Sequence, residues 1–287
     1  MKRDHIISVG ILISAVIFVG WRIYYIDDYR SVEVSFEKAE EPELLSGGVV
    51  LPAVWSDLGA KLVSVGVIDA EKFQEIYQSR GSFTDEYENL LGGKNNGPIK
   101  INEDNAGFWL NLLWALGLAN QNPILDYGEM ADPRYGGAEN FASTAGWTLA
   151  VGNPMDHYSR HQFFSLTAEQ QALVDKISRG IYRPCCGNST HFPDCNHGMA
   201  MLGLLELMAS QGTSEKDMWS AALTVNSYWF PDNYANISKY FENQDLKLEA
   251  IDAKEILGPA YSSASGYRQM LMSLEPIQPR SSSSCGI

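Results

Sequence analysis

The segment Ala106–Ala119, AGFWLNLLWALGLA, constrains the fold more than any other part of this chain. As a helix it is apolar on nearly every face. At about 1.5 Å per residue it is about 21 Å long, short of the ~30 Å hydrocarbon layer of a bilayer. A helix that is apolar all round and too short to span a membrane must be wrapped by the rest of its own protein. The expectation is a central buried helix in a mainly α fold, and 287 residues with 45% hydrophobic content can supply the wrapping.

Other helix signals follow along the chain. Pro52 suits a first turn, and Trp55, Leu58, Leu62 and Val65 recur at helical spacing up to Gly66. Asp69 caps a second segment carrying Phe73, Ile76 and Tyr77, closed by Gly81, so the two predict a helical hairpin. Thr167 and Gln170 make a capping box ahead of Leu173, Val174, Ile177 and Ile181. Met199–Met208 is again strongly apolar and ends at Gly212. Thr213 or Ser214 then caps a helix through Trp219 and Leu223, Pro231 starts another, and Glu249–Leu257 stops at Gly258. Residues 120–156, broken by prolines and paired glycines, read as a long irregular connection. There is no internal repeat and no βαβ alternation. The organisation expected is one mainly helical domain over 51–273 with long irregular connections, and a disordered Ser-rich tail over 274–287.

The N-terminus carries a different signal. Ile6–Ile26 is interrupted by one charge, Arg22, and is long enough to cross a bilayer. Trp21, Tyr24 and Tyr25 are interfacial residues, and Lys2 and Arg3 precede the run. These features predict a single-pass signal anchor, residues 1–26, with a cytoplasmic N-terminus. Residues 27–50 form an acidic spacer, and the domain is extracytoplasmic, periplasmic or extracellular. The partners expected are the membrane itself, through the N-terminal helix, and an envelope protein. The net charge of −14, with no Lys/Arg-rich stripe, argues against nucleic acid.

Chemistry concentrates in one place. Of the nine Cys and His residues in the chain, seven lie between His157 and His197. The stretch RPCCGNSTHFPDCNHG, residues 183–198, holds Cys185, Cys186, His191, Cys195 and His197. Thiolate is a soft ligand and imidazole a borderline one, so this set suits zinc or copper. Pro184, Gly187, Pro193 and Gly198 bend the loop so that its side chains can converge. Cys195 stands where a helix starts, and a helix N-terminus favours thiolate over thiol. Side chains of adjacent residues diverge, so the expected ligand set is one of Cys185 and Cys186 with Cys195, His197 and His191. Met199 would add a thioether donor, which favours copper, and Asp194 is placed to hydrogen-bond a ligating imidazole.

His157 and His161 share one face if helical and would be further donors, although the HExxH glutamate is missing. Asp194-Cys195 ahead of a helix resembles the nucleophile step of NlpC-type cell-wall peptidases in those two residues. Asn196 stands in place of the serine, and no histidine follows His197, so that activity is not assigned. The sequence therefore predicts a membrane-anchored extracytoplasmic metal-binding protein with a structural, sensory or metal-handling role. The alternatives are a non-catalytic tethered scaffold in which Cys185 or Cys186 forms a disulfide with Cys195, and a thiol redox protein. No turnover is assigned.

Overall fold

The apolar segment is a helix over Ala106–Ala119, and only Gly107 and Leu110 escape full burial. The computed structural model describes residues 48–274. Contacts divide the chain into Met1–Glu40 and Glu41–Ile287, and every described residue belongs to the second unit. In chain order its elements are β1 (Val49–Ser56), α1 (Leu58–Ser64), α2 (Ala70–Ser79), α3 (Asp85–Gly92), β2 (Asn96–Ile101) and α4 (Ala106–Ala119). Then come the short α5 (Pro123–Tyr127) and α6 (Ala142–Ala145), followed by α7 (Ala168–Gly180), α8 (Asn196–Ser210), α9 (Glu215–Trp229) and α10 (Pro231–Glu242). The last are α11 (Ala253–Ile256), α12 (Pro259–Ser262) and α13 (Ala264–Leu271). The fold is mainly α-helical.

The core is built on one helix pair. α8 is buried from His197 to Ala209 and lies against α4, with α6, α7, α9 and β1 around it. Two glycines set the closeness of that pair. A Cβ at Gly117 would overlap the Met199 carbonyl oxygen, and one at Gly203 would stand 2.5 Å from the Leu113 carbonyl oxygen. Backbone thus meets backbone, and side chains of both helices interdigitate on either side. Within this apolar pair one carboxyl is buried completely: Glu206 on α8 accepts from Nδ2 of Asn120, the C-cap of α4, at 2.7 Å. Burial raises its pKa well above the usual range, against the lowering bonds from Asn120 and Asn122.

Several helix signals correspond to observed elements. Asp69 caps α2 with its side chain, the Thr167–Gln170 capping box opens α7, and Ser214 caps α9. The region after Leu51 is different. In place of a helix from Pro52, β1 runs to Ser56 and α1 begins only at Leu58. Leu51, Ala53 and Trp55 alternate inward with period two, and β1 pairs antiparallel with β2, Val49 opposite Ile101 and Ser56 opposite Asn96. Pro52 is tolerated because its stretch of β1 is an irregularity in the ladder. The other edge of β1 is closed by a side chain: Gln211 accepts from Val54 N–H at 2.8 Å and donates to the Val54 carbonyl at 2.8 Å. The connection over 120–156 is a succession of short turns of helix, several of them capped by Asn or Asp side chains.

The expectation of a single-pass, membrane-anchored protein is corrected. Among the described residues no helix is long and apolar enough to cross a membrane. The longest, α8 and α9, have 15 residues each, against about 20 for a spanning helix. Ile6–Ile26, on which the anchor rested, lies outside the described residues, as do residues 27–47 of the expected spacer 27–50, whose last two residues open β1, and residues 275–287 of the tail. The signal-anchor topology, the extracytoplasmic placement and the membrane and envelope partners all rested on that anchor, and they are withdrawn with it.

Candidate thiol and metal centre

The loop 181–195 is fastened to its surroundings before its cysteines are placed. Tyr182 N–H donates to the Leu257 carbonyl, Thr190 N–H to Ile181, and His191 N–H to Ser178 at the end of α7. The Cys186 carbonyl accepts from Ala264 N–H, and the Asp194 carbonyl from Ser143 N–H. The chain then enters α8, where Cys195 is the N-cap and its Sγ accepts from Gly198 N–H at 3.4 Å. Sulfur here occupies the position usually taken by a Ser, Thr, Asp or Asn oxygen.

The three cysteines of this loop converge. Sγ of Cys185 lies 3.8 Å from that of Cys186 and 3.8 Å from that of Cys195, and Cys186 and Cys195 are 3.9 Å apart. None of the three is in a disulfide, and all are partly buried. A triangle with these sides places each sulfur about 2.2 Å from the centre, close to the ~2.3 Å of a zinc–thiolate bond. These three sulfurs are the His, Cys, Asp or Glu donor group, among the described residues, whose atoms lie within 4.8 Å of one another. A cysteine cluster able to coordinate a metal ion therefore exists. Adjacent Cys185 and Cys186 both take part, because Pro184 and a turn closed by Cys186 N–H on the Arg183 carbonyl bring both to the same side.

Arg183 organises the cluster from beneath. It is 1% exposed, yet each guanidinium nitrogen donates: Nε to Cys195 Sγ at 3.0 Å and Nη1 to the Asn188 carbonyl at 3.0 Å. Nη2 donates to the Phe192 carbonyl at 3.2 Å and to Asp194 at 2.7 Å. A Cβ at Gly198 would stand 2.5 Å from that Nη2, so the first turn of α8 has to carry a glycine there. Asn188 Nδ2 holds the other Asp194 oxygen at 2.8 Å. Burial opposes the charge on Arg183, but Cys195 and Cys186, the bond to Cys195, and Asp194 outweigh it and keep the guanidinium ionised.

The thiols are polarised against one another. Cys195 is held well below the usual thiol range, first by the hydrogen bonds from Cys185 and Cys186. Burial opposes this, and Arg183 and His197 reinforce it. Cys186 is pushed up to about 12: its bond with Cys185 lowers it, and its bond to Cys195, burial and the charge of Cys195 outweigh that together with Arg183. Among these sulfurs Cys195 is therefore the one whose ionised form its surroundings favour, through hydrogen bonds from its neighbours and a buried cation.

The other residues singled out in the sequence are engaged as follows. His191 is buried and its Nε2 lies 2.8 Å from Asp175 on α7. His197 packs its ring on Phe230 and Trp229 and helps to hold Cys195 below the usual thiol range. Asp194 faces Arg183 and Asn188. Met199 is fully buried in α8 at the contact with α4. His157 and His161 form a pair of their own, Nδ1 to Nε2 at 3.1 Å, with His157 Nε2 at 3.1 Å from the Val151 carbonyl. Arg183 and Glu206 went unassigned in the sequence, since nothing in a local pattern distinguishes a buried charge from a solvated one. The one signal for Arg183 is its position, an arginine opening a cysteine loop that ends in Asp194.

In comparisons with known proteins, the chain matches no family model, no curated protein and no solved structure.

Proposed function

We propose that this protein binds one thiophilic metal ion, zinc or copper(I), through Cys185, Cys186 and Cys195. The observation that carries the reading is the convergence of three sulfurs. A stapled loop needs two cysteines, whereas a soft ion between thiolates uses a third. The triangle's dimensions fit one ion bonded to all three sulfurs, and Arg183 offsets part of the negative charge that three thiolates and Asp194 bring together. Asn188, Asp194 and Arg183 hold the loop in that shape through bonds that leave the sulfurs to face one another.

A second reading is supported by the same contacts. Cys195 touches both of its neighbours, so oxidation would close a loop of about ten residues and stabilise a non-catalytic scaffold by on the order of 2–3 kcal/mol.

The deciding experiment is elemental analysis of the full chain, purified under nitrogen without reductant or chelator, together with a thiol count. One equivalent of zinc or copper, lost in Cys195→Ser, is the expected result. No metal, with two cluster thiols missing, would overturn the metal reading in favour of the scaffold.

A further inference from the structure

Three sulfurs in mutual contact are both a ligand set and a disulfide waiting for an oxidant. We infer that the cluster is a redox-gated metal site: a hydroperoxide joins Cys185 to Cys195, and the loss of two of its three donors releases the ion. This rests on the metal reading above and adds its regulation.

The choice of sulfurs follows from geometry. Of the three partly buried cysteines, Cys185 offers the least buried sulfur and is the one a peroxide meets. Its Sγ lies in contact with the sulfurs of both Cys186 and Cys195. The neighbouring Cys186 is a poor disulfide partner, because Cα atoms across a trans peptide stand about 3.8 Å apart and disulfides prefer about 4.4–6.8 Å. No cis peptide occurs among the described residues. Cys195 is ten positions away in sequence and already in sulfur contact, so bond formation asks for an approach of under about 2 Å. The turn carrying Cys185 can supply it, since Cys195 is pinned as the cap of α8 by Arg183 and Gly198.

The step balances. Cys185 sulfur attacks a peroxide oxygen; the S–O bond forms, the O–O bond breaks, and the departing oxygen leaves as water or an alcohol after taking a proton from solvent. Cys195 sulfur then attacks the sulfenic sulfur of Cys185; the S–S bond forms, the S–O bond breaks, and hydroxide leaves as water with a second proton. Two thiols are oxidised and one peroxide is reduced. Cys186 alone does not hold the ion, because two of the three sulfurs around it are now bonded to each other. A thiol reductant reverses the change and restores the triangle.

The test uses the full chain as Cys285→Ser, so that the thiols counted are the three of the cluster. The reduced protein is loaded with one equivalent of zinc and titrated with hydrogen peroxide. Released zinc is read with a chromogenic chelator, thiols are counted, and the disulfide is mapped by mass spectrometry. The expected result is one zinc released for two thiols lost, a Cys185–Cys195 link, and recovery of both on adding dithiothreitol. Cys186→Ser is expected to form the same link, and Cys195→Ser to abolish it. Zinc retained after two thiols are lost, or a link through Cys186, overturns this inference alone. A reduced chain that takes up neither zinc nor copper overturns the metal reading, and this inference with it.

Discussion

Arg183 Nε and Cys195 Sγ meet at 3.0 Å at the start of α8, a cation sealed from water and a partly buried sulfur. The pair joins the loop to the core helix, because the same guanidinium also holds the carbonyls of Asn188 and Phe192 and the Asp194 carboxylate. Replacing Arg183 with Met would leave Asp194, half-buried, without its cation. The expected loss is about 3 kcal/mol in urea unfolding. The thiolate absorbance of Cys195 is expected to move to higher pH, because a donor and a positive charge are removed together. Arg183→Lys keeps the charge but not the planar fork, so it should recover part of the ionisation shift and less of the stability.

Glu206 supplies a pH dependence of opposite origin. Its folded pKa is raised, so the folded state holds a proton that the unfolded chain releases at about pH 4.3. The associated stability is complete below that value and is lost as pH rises toward the folded pKa. Glu206→Gln carries no such proton. Compared by urea unfolding at about pH 5 and about pH 8, the variant should lose less stability across the interval than the parent chain does.

The glycines of the α4–α8 pair separate packing from propensity. Gly203→Ala on α8 drives a methyl onto the Leu113 carbonyl and is expected to cost about 2–3 kcal/mol by forcing the helices apart. Gly107→Ala on α4 meets nothing within 4 Å and should stabilise by about 0.5–1 kcal/mol through helix propensity alone. Thermal denaturation of the two variants side by side would read both signs.

The ligand set is expected to be sulfur alone. Cys185→Ser and Cys186→Ser should each weaken zinc uptake, measured by competition with a chromogenic chelator. His191→Gln should keep one equivalent, since that ring faces Asp175. A loss of zinc in His191→Gln would mean that the loop rearranges around the ion.

Much of the helical framework was legible in the sequence because its signals are local. The caps at Asp69, Thr167 and Ser214 act within three residues of themselves, and an all-apolar segment of 14 residues leaves few other fates. β1 was missed because Trp55, Leu58 and Leu62 also suit a helix. The alternation of Leu51, Ala53 and Trp55 gains meaning only when β2, about forty residues later, provides its partner. The site was half legible. The density of Cys and His marked the loop. The expected ligand set put one of Cys185 and Cys186 with Cys195, His197 and His191; in the fold the turn after Pro184 gathers both cysteines beside Cys195, and His191 faces α7.

By itself the sequence determined that this chain is mainly helical, that one apolar helix lies inside it, and that three of its four cysteines crowd the loop before α8. Those outcomes follow from side-chain type and spacing over a few residues. Only the tertiary structure decided that Arg183 is the buried counter-charge, that Glu206 is sealed against Asn120, and that three sulfurs face one another at 3.8–3.9 Å. Each of these depends on which groups are removed from water together, and that is set by packing between segments distant in the chain rather than by the order of residues within any one of them.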